Sequence, residues 1–396
     1  MIYLDHNATT PVAAEVINEM CAVLERAWAN PSSTHGPGQA ARRVLADARA
    51  RVAQALGCHP AEPVFTSGAT EANHIALLGA LDPRRGEAAK GRPRLVLSAV
   101  EHPSSLALAE RLRAAGHAVD LIPVDGEGRL DMNAARALIG PDVALVSVMG
   151  ANNETGVCMP LEELAELAHA RGALLHVDAT QLVGKSSLRF ADSGADLWSV
   201  SAHKFNGPKG VGALLVRKGL DWPGLQAGRQ ERGRRGGTEN LPGIVGFAAA
   251  AERMHRCLAA DLAGMAALRQ RLESGVLHIA AAHRAVRLYG AAGPRLPNTT
   301  LVRFGQLLAE RVLHALERAD IIAASGAACS AGGNQPSHVL LAMGESPQHA
   351  LCGVRFSLGR DTTADEIDAA LDALRQHVLP LLQAQSSEAE RLAAVH

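Results

Sequence analysis

Short apolar runs alternate with longer helical patterns from about residue 60 to residue 250. PVFTSG precedes a helical pattern from Thr70 to Leu81, RLVLSAV precedes one from Ser104 to Ala115, and VALVSVM precedes one from Leu161 to Arg171. Three more apolar runs, ALLHVDA, DLWSVSA and VGALLVR, follow. This alternation predicts an α/β fold whose mostly parallel sheet is covered by helices on both faces. Ligands of such sheets bind beyond the carboxyl ends of the strands.

The rest of the chain has a different pattern. A long helical stretch runs from Leu241 to about Val276, short strand patterns follow (AVRLYG, NTTLVRF, ADIIAAS and GVRFSLG), and a final helix runs from Ala364 to about Gln383. We therefore expect a large domain over residues 16–255 and a smaller α+β domain built from residues 1–15 and 256–396. The segment YLDHNATTPV is expected to pack against the smaller domain.

Composition limits the classes of function. The 396 residues carry 39 Lys and Arg against 40 Asp and Glu, so the net charge of −1 gives no global positive field for nucleic acid or an anionic membrane. No apolar stretch approaches the roughly 18–20 residues of a membrane span, and MIYLDHNATT lacks the features of a signal peptide. We therefore expect a cytoplasmic protein.

Cysteine usage argues against two kinds of scaffold. There is no CxxC pair and no Cys/His cluster at zinc-ligand spacing, so neither a disulfide framework nor a metal site is expected. Each cysteine is by default a small buried hydrophobe. The six are Cys21, Cys58, Cys158, Cys257, Cys329 and Cys352.

The first candidate for chemistry is Lys204 in SAHKFNGPKG, which follows the strand pattern DLWSVSA. Taken alone, Lys204 is more simply a solvated loop lysine. Asp178 ends another apolar strand 26 residues earlier (204 − 178), and a carboxylate in that position needs a partner. Ser201 and His203 lie beside the lysine. A buried carboxylate, a lysine able to form a Schiff base and donors for a phosphate are what pyridoxal phosphate requires.

The segment FTSGATEAN offers a place for that phosphate. Gly68, Ala69 and Thr70 end a strand pattern and begin a helix, whose first backbone N–H groups can hold an anion. A plain helix N-cap explains the same residues. GPKGVG and TSGATE both lack the GxxxxGK pattern of nucleoside triphosphate sites, and no GxGxxG follows the first strand, so a Rossmann dinucleotide site is also disfavoured.

With these residues in place, the sequence resembles the cysteine desulfurases of the NifS/IscS type, in the pyridoxal-phosphate-dependent class V aminotransferase family. The resemblance covers nearly the whole chain through ten motifs in order: YLDHNATTPV, NPSSTHGPG, TSGATEAN, VEHPSS, NNETG, HVDATQ, SAHKFNGPKG, GTEN, SGAACSAG and RFSLGRDTT. It implies a PLP-dependent transferase fold of the aspartate aminotransferase type and a homodimer of two-domain subunits. It also implies conversion of L-cysteine to L-alanine, with the sulfur held as a protein persulfide for an acceptor or scaffold protein.

The resemblance assigns roles around the cofactor ring. Lys204 would form the internal aldimine, and Asp178 would keep the pyridine nitrogen protonated so that the ring remains an electron sink. His102, in VEHPSS, would stack on the ring and shuttle protons, although outside this match it would be a surface loop histidine. Gln181 would touch the ring hydroxyl, and Asn153 would touch the ring or the substrate carboxylate.

The same resemblance assigns the phosphate contacts. Ala69 and Thr70 at the helix start, with Ser201 and His203 after the strand, would bind the phosphate. Thr238, in RRGGTEN, would reach the phosphate of the neighbouring subunit, so each active site would need both chains.

The substrate carboxylate needs a fixed bidentate donor, which a guanidinium supplies. Arg355, in GVRFSLGRDTT, matches the family's residue. Arg360, five residues later, is the weaker candidate and is expected to pair with a local acid. A surface salt bridge is the alternative interpretation for both.

Cys329 distinguishes the possible activities. ASGAACSAGGNQPSHVL is small and Gly-rich, so we expect Cys329 to lie on a mobile loop, which suits a thiolate that takes sulfur in the pocket and carries it out. A buried structural thiol fits Cys21, Cys158 and Cys352 instead. Ala-Cys-Ser-Ala-Gly stands where Ser-Ala-Cys-Thr is commoner, and the chain after Leu382 has fewer recognisable motifs, which leaves the scaffold partner open.

Three hypotheses remain at this point. The first is a desulfurase that supplies sulfur for iron–sulfur cluster assembly or other thiolation. The second is a selenocysteine lyase or a class V aminotransferase without persulfide chemistry, which has no need of Cys329. The third is a non-catalytic scaffold that kept the fold. Loss of Lys204, Asp178 or Arg355 would indicate such a scaffold, and all three are present.

Overall fold

The computed structural model describes residues 1–85, 91–279, 286–326 and 335–385. Strands and helices are numbered separately in chain order. The strands are β1 (Ile2–Tyr3), β2 (Pro63–Thr66), β3 (Arg94–Ser98), β4 (Ala118–Ile122), β5 (Val143–Met149), β6 (Leu174–Asp178), β7 (Leu197–Ser201), β8 (Gly212–Val216), β9 (Val286–Tyr289), β10 (Thr299–Phe304), β11 (Ile321–Ile322), β12 (Ala324–Ser325) and β13 (Gly353–Ser357). The helices are α1 (Ala14–Arg26), α2 (Gly36–Leu56), α3 (Ala69–Ala80), α4 (Pro103–Ala114), α5 (Met132–Leu138), α6 (Leu161–Ala170), α7 (Leu241–Ile279), α8 (Ala309–Glu317), α9 (His338–Ala342), α10 (Pro347–Ala350) and α11 (Ala364–Ala373).

Local sequence signals set several helix ends. Helix α2 ends at Gly57, whose φ of 68° is the left-handed conformation that glycine adopts without a Cβ penalty. Helix α11 begins with a capping box, in which Thr363 accepts from the backbone N–H of Glu366 and the Glu366 carboxylate accepts from the N–H of Thr363. The glycine thus ends α2, and the capping box fixes the start of α11.

The large sheet has seven strands in the order β2-β8-β7-β6-β5-β3-β4. The neighbours from β7 to β4 are parallel, whereas β8 is antiparallel to both β7 and β2. The expected α/β fold with a mostly parallel sheet is therefore confirmed. Because β2 runs in the same direction as β7, the loops after β2, β3, β5, β6 and β7 all leave at one edge, which we call the carboxyl edge.

Helices cover both faces of this sheet. Successive residues of a strand point to opposite faces, and β3 illustrates the result. Val96 belongs to a core that includes Phe247 of α7, while Leu97 belongs to a second core that includes Ile75 of α3. The near-continuous apolar strands follow from this burial on both sides.

A second, antiparallel sheet has the order β12-β13-β10-β9. Its core joins Phe356 of β13 to Leu272 of α7 and Ile367 of α11. Leu4 lies in the same core, and β1 pairs in parallel with β11. The N-terminal segment thus packs against the C-terminal part of the chain. The domain limits at residues 15 and 255 stay a prediction, because α7 continues through residue 255 as one helix.

No helix in the described part of the chain combines the length and apolar character needed to cross a bilayer.

Candidate active site

A cavity of about 560 Å³ lies at the carboxyl edge, within the size range of small-molecule sites. It is bounded by the N-terminal segment, by the loops at the carboxyl edge and by β13. All but two of the residues predicted from the sequence line it. They are Ala69, Thr70, His102, Asn153, Asp178, Gln181, Ser201, His203, Lys204 and Arg355.

Lys204 ends the short 3-10 turn Ala202–Lys204 that directly follows β7. Its Nζ donates to the backbone oxygen of Asn7 at 2.6 Å and to that of Ala8 at 3.0 Å. The strand end places the amine in the cavity, and two carbonyl groups of the N-terminal segment direct it.

Asp178 is the last residue of β6 and is buried. Its Oδ2 accepts from Nδ2 of Asn73 at 2.7 Å, and its Oδ1 accepts from the backbone N–H of Thr180 at 3.0 Å. A buried carboxylate needs such donors. The structure thus holds an acid at the cavity wall, next to the turn that carries Lys204.

His102 caps the start of α4, and its Nδ1 accepts from the backbone N–H of Ser104 at 3.2 Å. Burial lowers the pKa of His102, and the charge of Lys204 adds to this effect while Asp178 opposes it. The ring is therefore neutral at pH 7 with its proton on Nε2. A neutral imidazole can stack on a flat ligand and exchange a proton there.

Arg355 lies in the middle of β13 and is only 2% exposed. Its Nη2 donates to Oδ1 of Asp5 at 2.7 Å, and its Nη1 donates to the backbone oxygen of Asn153 at 3.0 Å. Its Nε is buried and has no hydrogen-bond partner among the described residues. A guanidinium held rigidly at a cavity wall is suited to bind a carboxylate.

The start of α3 forms another side of the cavity. Gly68 is the N-cap and has no side chain, so no capping group covers the first backbone N–H groups of the helix. The hydroxyl group of Ser201 lies near Gly68: a methyl group on the Gly68 Cα would be 3.7 Å from the Ser201 Oγ. Burial, followed by the charge of Lys204, lowers the pKa of His203 to about 4, so His203 is a neutral hydrogen-bonding group at pH 7.

Two predicted residues lie elsewhere. Thr238 lines a neighbouring cavity of about 80 Å³, which shares Ser67 and Gly210 with the main one. Cys329 lies outside the described residues.

The other cysteines differ in burial. Burial raises the pKa of Cys58 to about 12 and that of Cys158 to about 11, and it also raises the pKa of Cys352. These thiols are poor nucleophiles because the thiolate is the reactive form. The expectation of a buried thiol is wrong for Cys21, which is exposed on α1. That helix buries the face that carries Val16 and Val23, and position 21 lies off this face.

A match to a family model covers residues 2–370, and that family is described as aminotransferase class-V. The chain belongs to the class-V aminotransferase family. A cysteine desulfurase of Cereibacter sphaeroides is 48% identical over 378 residues, which are 94% of this chain and 94% of that protein. The cysteine desulfurase NifS of Azotobacter vinelandii is 42% identical over 373 residues, covering 93% of this chain and 90% of the relative.

A solved structure described as a NifS-like protein has a TM-score of 0.85 and 34% sequence identity, and the match covers 95% of this chain and 98% of that one. These comparisons confirm the resemblance to NifS-type cysteine desulfurases. Class-V enzymes of this type use pyridoxal phosphate.

Sequence reasoning missed three residues of this class-V site. Asn73, which binds Asp178, is a buried amide within the otherwise apolar face of α3, and that polar interruption could have signalled it. Asn7, which accepts from Lys204, has partners 146 to 350 residues away, so no local pattern reveals it. Glu101, beside His102, was read only as part of a motif.

Glu101 is a fully buried acid behind His102. Its Oε1 accepts from the Ser98 Oγ at 2.5 Å and from the backbone N–H of Met149 at 2.6 Å. Burial raises the pKa of Glu101 to about 8, and the charge of Asp178 contributes to this. The side chain is therefore a neutral acid at pH 7.

We predict that Glu101→Gln changes how stability depends on pH. Between about pH 4.5 and pH 8 the folded protein keeps a proton on Glu101 that the unfolded chain releases, so the free energy of unfolding falls as pH rises through this window. Glutamine resembles the protonated acid and has no such dependence. The free energy of unfolding in urea is to be measured for both proteins at pH 5 and at pH 8.5. The value for the variant minus that for wild type should be larger at pH 8.5 than at pH 5.

Glu110→Gln, on the exposed face of α4, is the matched control and should follow wild type at both pH values. A Glu101→Gln difference that stays constant with pH would mean that the folded protein carries an ionised carboxylate at this position.

Proposed function

We propose that the chain is a cysteine desulfurase that uses pyridoxal phosphate to convert L-cysteine to L-alanine. The sulfur passes to Cys329 as a persulfide and then to an acceptor or scaffold protein, for iron–sulfur cluster assembly or other thiolation. One observation carries the proposal: an amine, a buried carboxylate and a buried guanidinium meet in one cavity, as Lys204, Asp178 and Arg355. The NifS-type relatives support it.

The residues of the cavity fit pyridoxal phosphate by their chemistry. Lys204 would take its aldehyde, Asp178 its ring nitrogen and Gln181 its ring hydroxyl. The uncapped start of α3, with Thr70 and Ser201, would hold the phosphate, since helix N-termini bind anions. When bound, the cofactor draws electrons from the substrate Cα and makes its proton removable.

The protein's own groups then handle the substrate. Nζ of Lys204 would take the proton from Cα and return a proton to the product, with the carbonyl groups of Asn7 and Ala8 keeping this atom in place. Arg355 would orient the substrate through its carboxylate. The thiolate of Cys329 would attack Sγ of the substrate. L-Cysteine and the Cys329 thiol would then become L-alanine and a Cys329 persulfide, with no other reactant consumed.

Two further elements of the proposal concern the partner subunit and the position of Cys329 in the chain. A homodimer would bring Thr238 of one subunit to the phosphate site of its partner. Thr238 and Arg235 line the small cavity beside the main one, in the segment after the 3-10 turn Gln230–Gly233. Cys329 follows three residues after Gly326, whose N–H donates to the backbone oxygen of Gly353 at 3.2 Å, at the start of the strand that carries Arg355.

We predict that Arg355→Lys raises the KM for L-cysteine by about 10- to 100-fold. Lysine keeps the charge and loses the planar fork, and a charge-assisted hydrogen bond contributes about 1.5–3 kcal/mol. Arg360→Lys is the matched control, because Arg360 lies 3.4 Å from Asp261, away from the main cavity. An unchanged KM in Arg355→Lys together with a large rise in Arg360→Lys would transfer the role to Arg360.

The proposed function is tested most sharply at Cys329. Without reductant, the wild type with cofactor and L-cysteine should form about one persulfide per subunit on the Cys329 peptide, together with alanine. Cys329→Ser should still change its visible spectrum on binding L-cysteine, because Lys204 and the cofactor remain, yet it should form no alanine. Cys21→Ser removes an exposed thiol and should behave as wild type.

Alanine formation by Cys329→Ser at the wild-type rate, or a persulfide on another cysteine, would contradict the mechanism. Turnover of selenocysteine alone, or conversion of an amino acid to a keto acid, would replace the desulfurase with a lyase or an aminotransferase.

A further inference from the structure

An ion pair joins the start of α3 to the segment that carries Thr238. Nε of Arg235 donates to Oε1 of Glu71 at 2.8 Å, and Nη2 of Arg235 donates to Oε2 of Glu71 at 3.4 Å. Both side chains are mostly buried, with 24% of Arg235 and 14% of Glu71 exposed. Oε2 of Glu71 also accepts from the backbone N–H of Ser67 at 2.6 Å. The pair therefore ties the loop before α3 to the segment after the 3-10 turn.

Glu71 lies where a second acid has no assigned role. It belongs to the first turn of α3 and lines the main cavity, on the side that the proposed function gives to the phosphate. The described acidic residues of that lining are Glu71 and Asp178, and Asp178 is assigned to the ring nitrogen. A phosphate monoester carries about −1.5 to −2 charges at pH 7. A carboxylate without a cation beside it would repel such a group.

The carboxyl group of Glu71 is ionised at pH 7. Burial alone would raise the pKa of Glu71, but the hydrogen bonds from Arg235 and Ser67 lower it below its ordinary value. The guanidinium of Arg235 is always protonated in proteins. Contact between the two side chains therefore brings opposite charges together and cancels much of the field of the carboxylate.

Other charged groups lie nearby, and the contacts distinguish them from Arg235. The remaining charged residues that line the two cavities are Asp178, Lys204, Lys209, Arg355, Glu231 and Glu239. Glu231 has its own cation, since it accepts from Nη2 of Arg49 at 2.5 Å and from Nη1 at 2.9 Å. The ion pair on the Glu71 carboxylate is made by Arg235.

We propose that Arg235 is a positioning residue for the phosphate of the cofactor: it holds and neutralises Glu71, so that the start of α3 can accept a dianion. The inference rests on the proposed function, which gives the phosphate of pyridoxal phosphate to this helix start. Thr238 follows Arg235 by three residues (238 − 235). The same ion pair therefore anchors the segment that would reach the partner subunit.

The test compares two ligands of the full-length protein, pyridoxal phosphate and pyridoxal, which lacks the phosphate. Visible absorbance gives the dissociation constant of each. Arg235→Met removes the cation while Glu71 keeps its charge, so the constant for pyridoxal phosphate should rise about 10-fold while that for pyridoxal changes less than about twofold. Arg229→Met, at an exposed arginine of the same segment, is the matched control and should bind both ligands as wild type does.

Two further variants separate charge from structure. Glu71→Gln removes the negative charge and leaves Arg235 as an uncompensated cation, so pyridoxal phosphate should bind about three- to tenfold more tightly than in wild type. This result does not depend on whether Arg235→Met folds. The double variant, Arg235→Met with Glu71→Gln, loses both charges and should bind pyridoxal phosphate within about threefold of wild type.

A purely structural ion pair predicts the opposite pattern. Glu71→Gln would then weaken the binding of pyridoxal phosphate, and the double variant would bind it as poorly as Arg235→Met. Either result would overturn the inference and leave the desulfurase proposal intact.

A wild type that takes up no pyridoxal phosphate would instead contradict the desulfurase proposal. Calorimetric titration of wild type and the same three variants with inorganic phosphate would then decide the inference, because it concerns the anion alone. Phosphate affinity that falls in Arg235→Met and returns in the double variant would support it. Equal affinity in all four proteins, or no binding to any of them, would overturn it.

Discussion

The hydrogen bonds of Asn7 are the interaction on which the site depends. Its backbone N–H donates to the Oγ of Ser357 at 2.9 Å, and its Nδ2 donates to the Oγ1 of Thr299 at 2.8 Å, so Asn7 is fixed to the antiparallel sheet. Its backbone oxygen accepts from Lys204, which belongs to the large sheet. Asn7 therefore links the two sheets at the cavity, together with the bond from Arg355 to the backbone oxygen of Asn153 and the bond from Lys204 to that of Ala8.

Burial determines the charges inside this frame. Glu154, which accepts from the Ser337 Oγ at 2.5 Å, has its pKa raised to about 7, and the charge of Arg355 limits that rise. Glu101 is shifted in the same direction, whereas His102 and His203 are shifted toward their neutral forms. The two histidines that line the cavity, His102 and His203, are thus neutral hydrogen-bonding groups at pH 7. The acidic and basic residues of its lining are Glu71, Asp178, Lys204, Lys209 and Arg355.

The sequence was sufficient for the parts of the site that follow from strand ends. Asp178, Ser201 and Lys204 were predicted at one edge of a parallel sheet, and the structure brings them there because parallel strands end together. The reversal of β8 and the presence of β4 were not predicted, since periodicity does not reveal strand direction. Asn7 was missed because its partners are distant in the chain, and Cys21 was misjudged because burial depends on which helix face packs.

The central claim is that the amine at the end of β7 is the one that reacts with the cofactor. Borohydride makes a reversible link between a lysine and an aldehyde permanent, so reduction followed by peptide mapping identifies the lysine directly. The account predicts that the cofactor mass lies on the peptide containing Lys204 and on none of the other four lysines. Mass on Lys90, Lys185, Lys209 or Lys218, or no added mass at all, would contradict it.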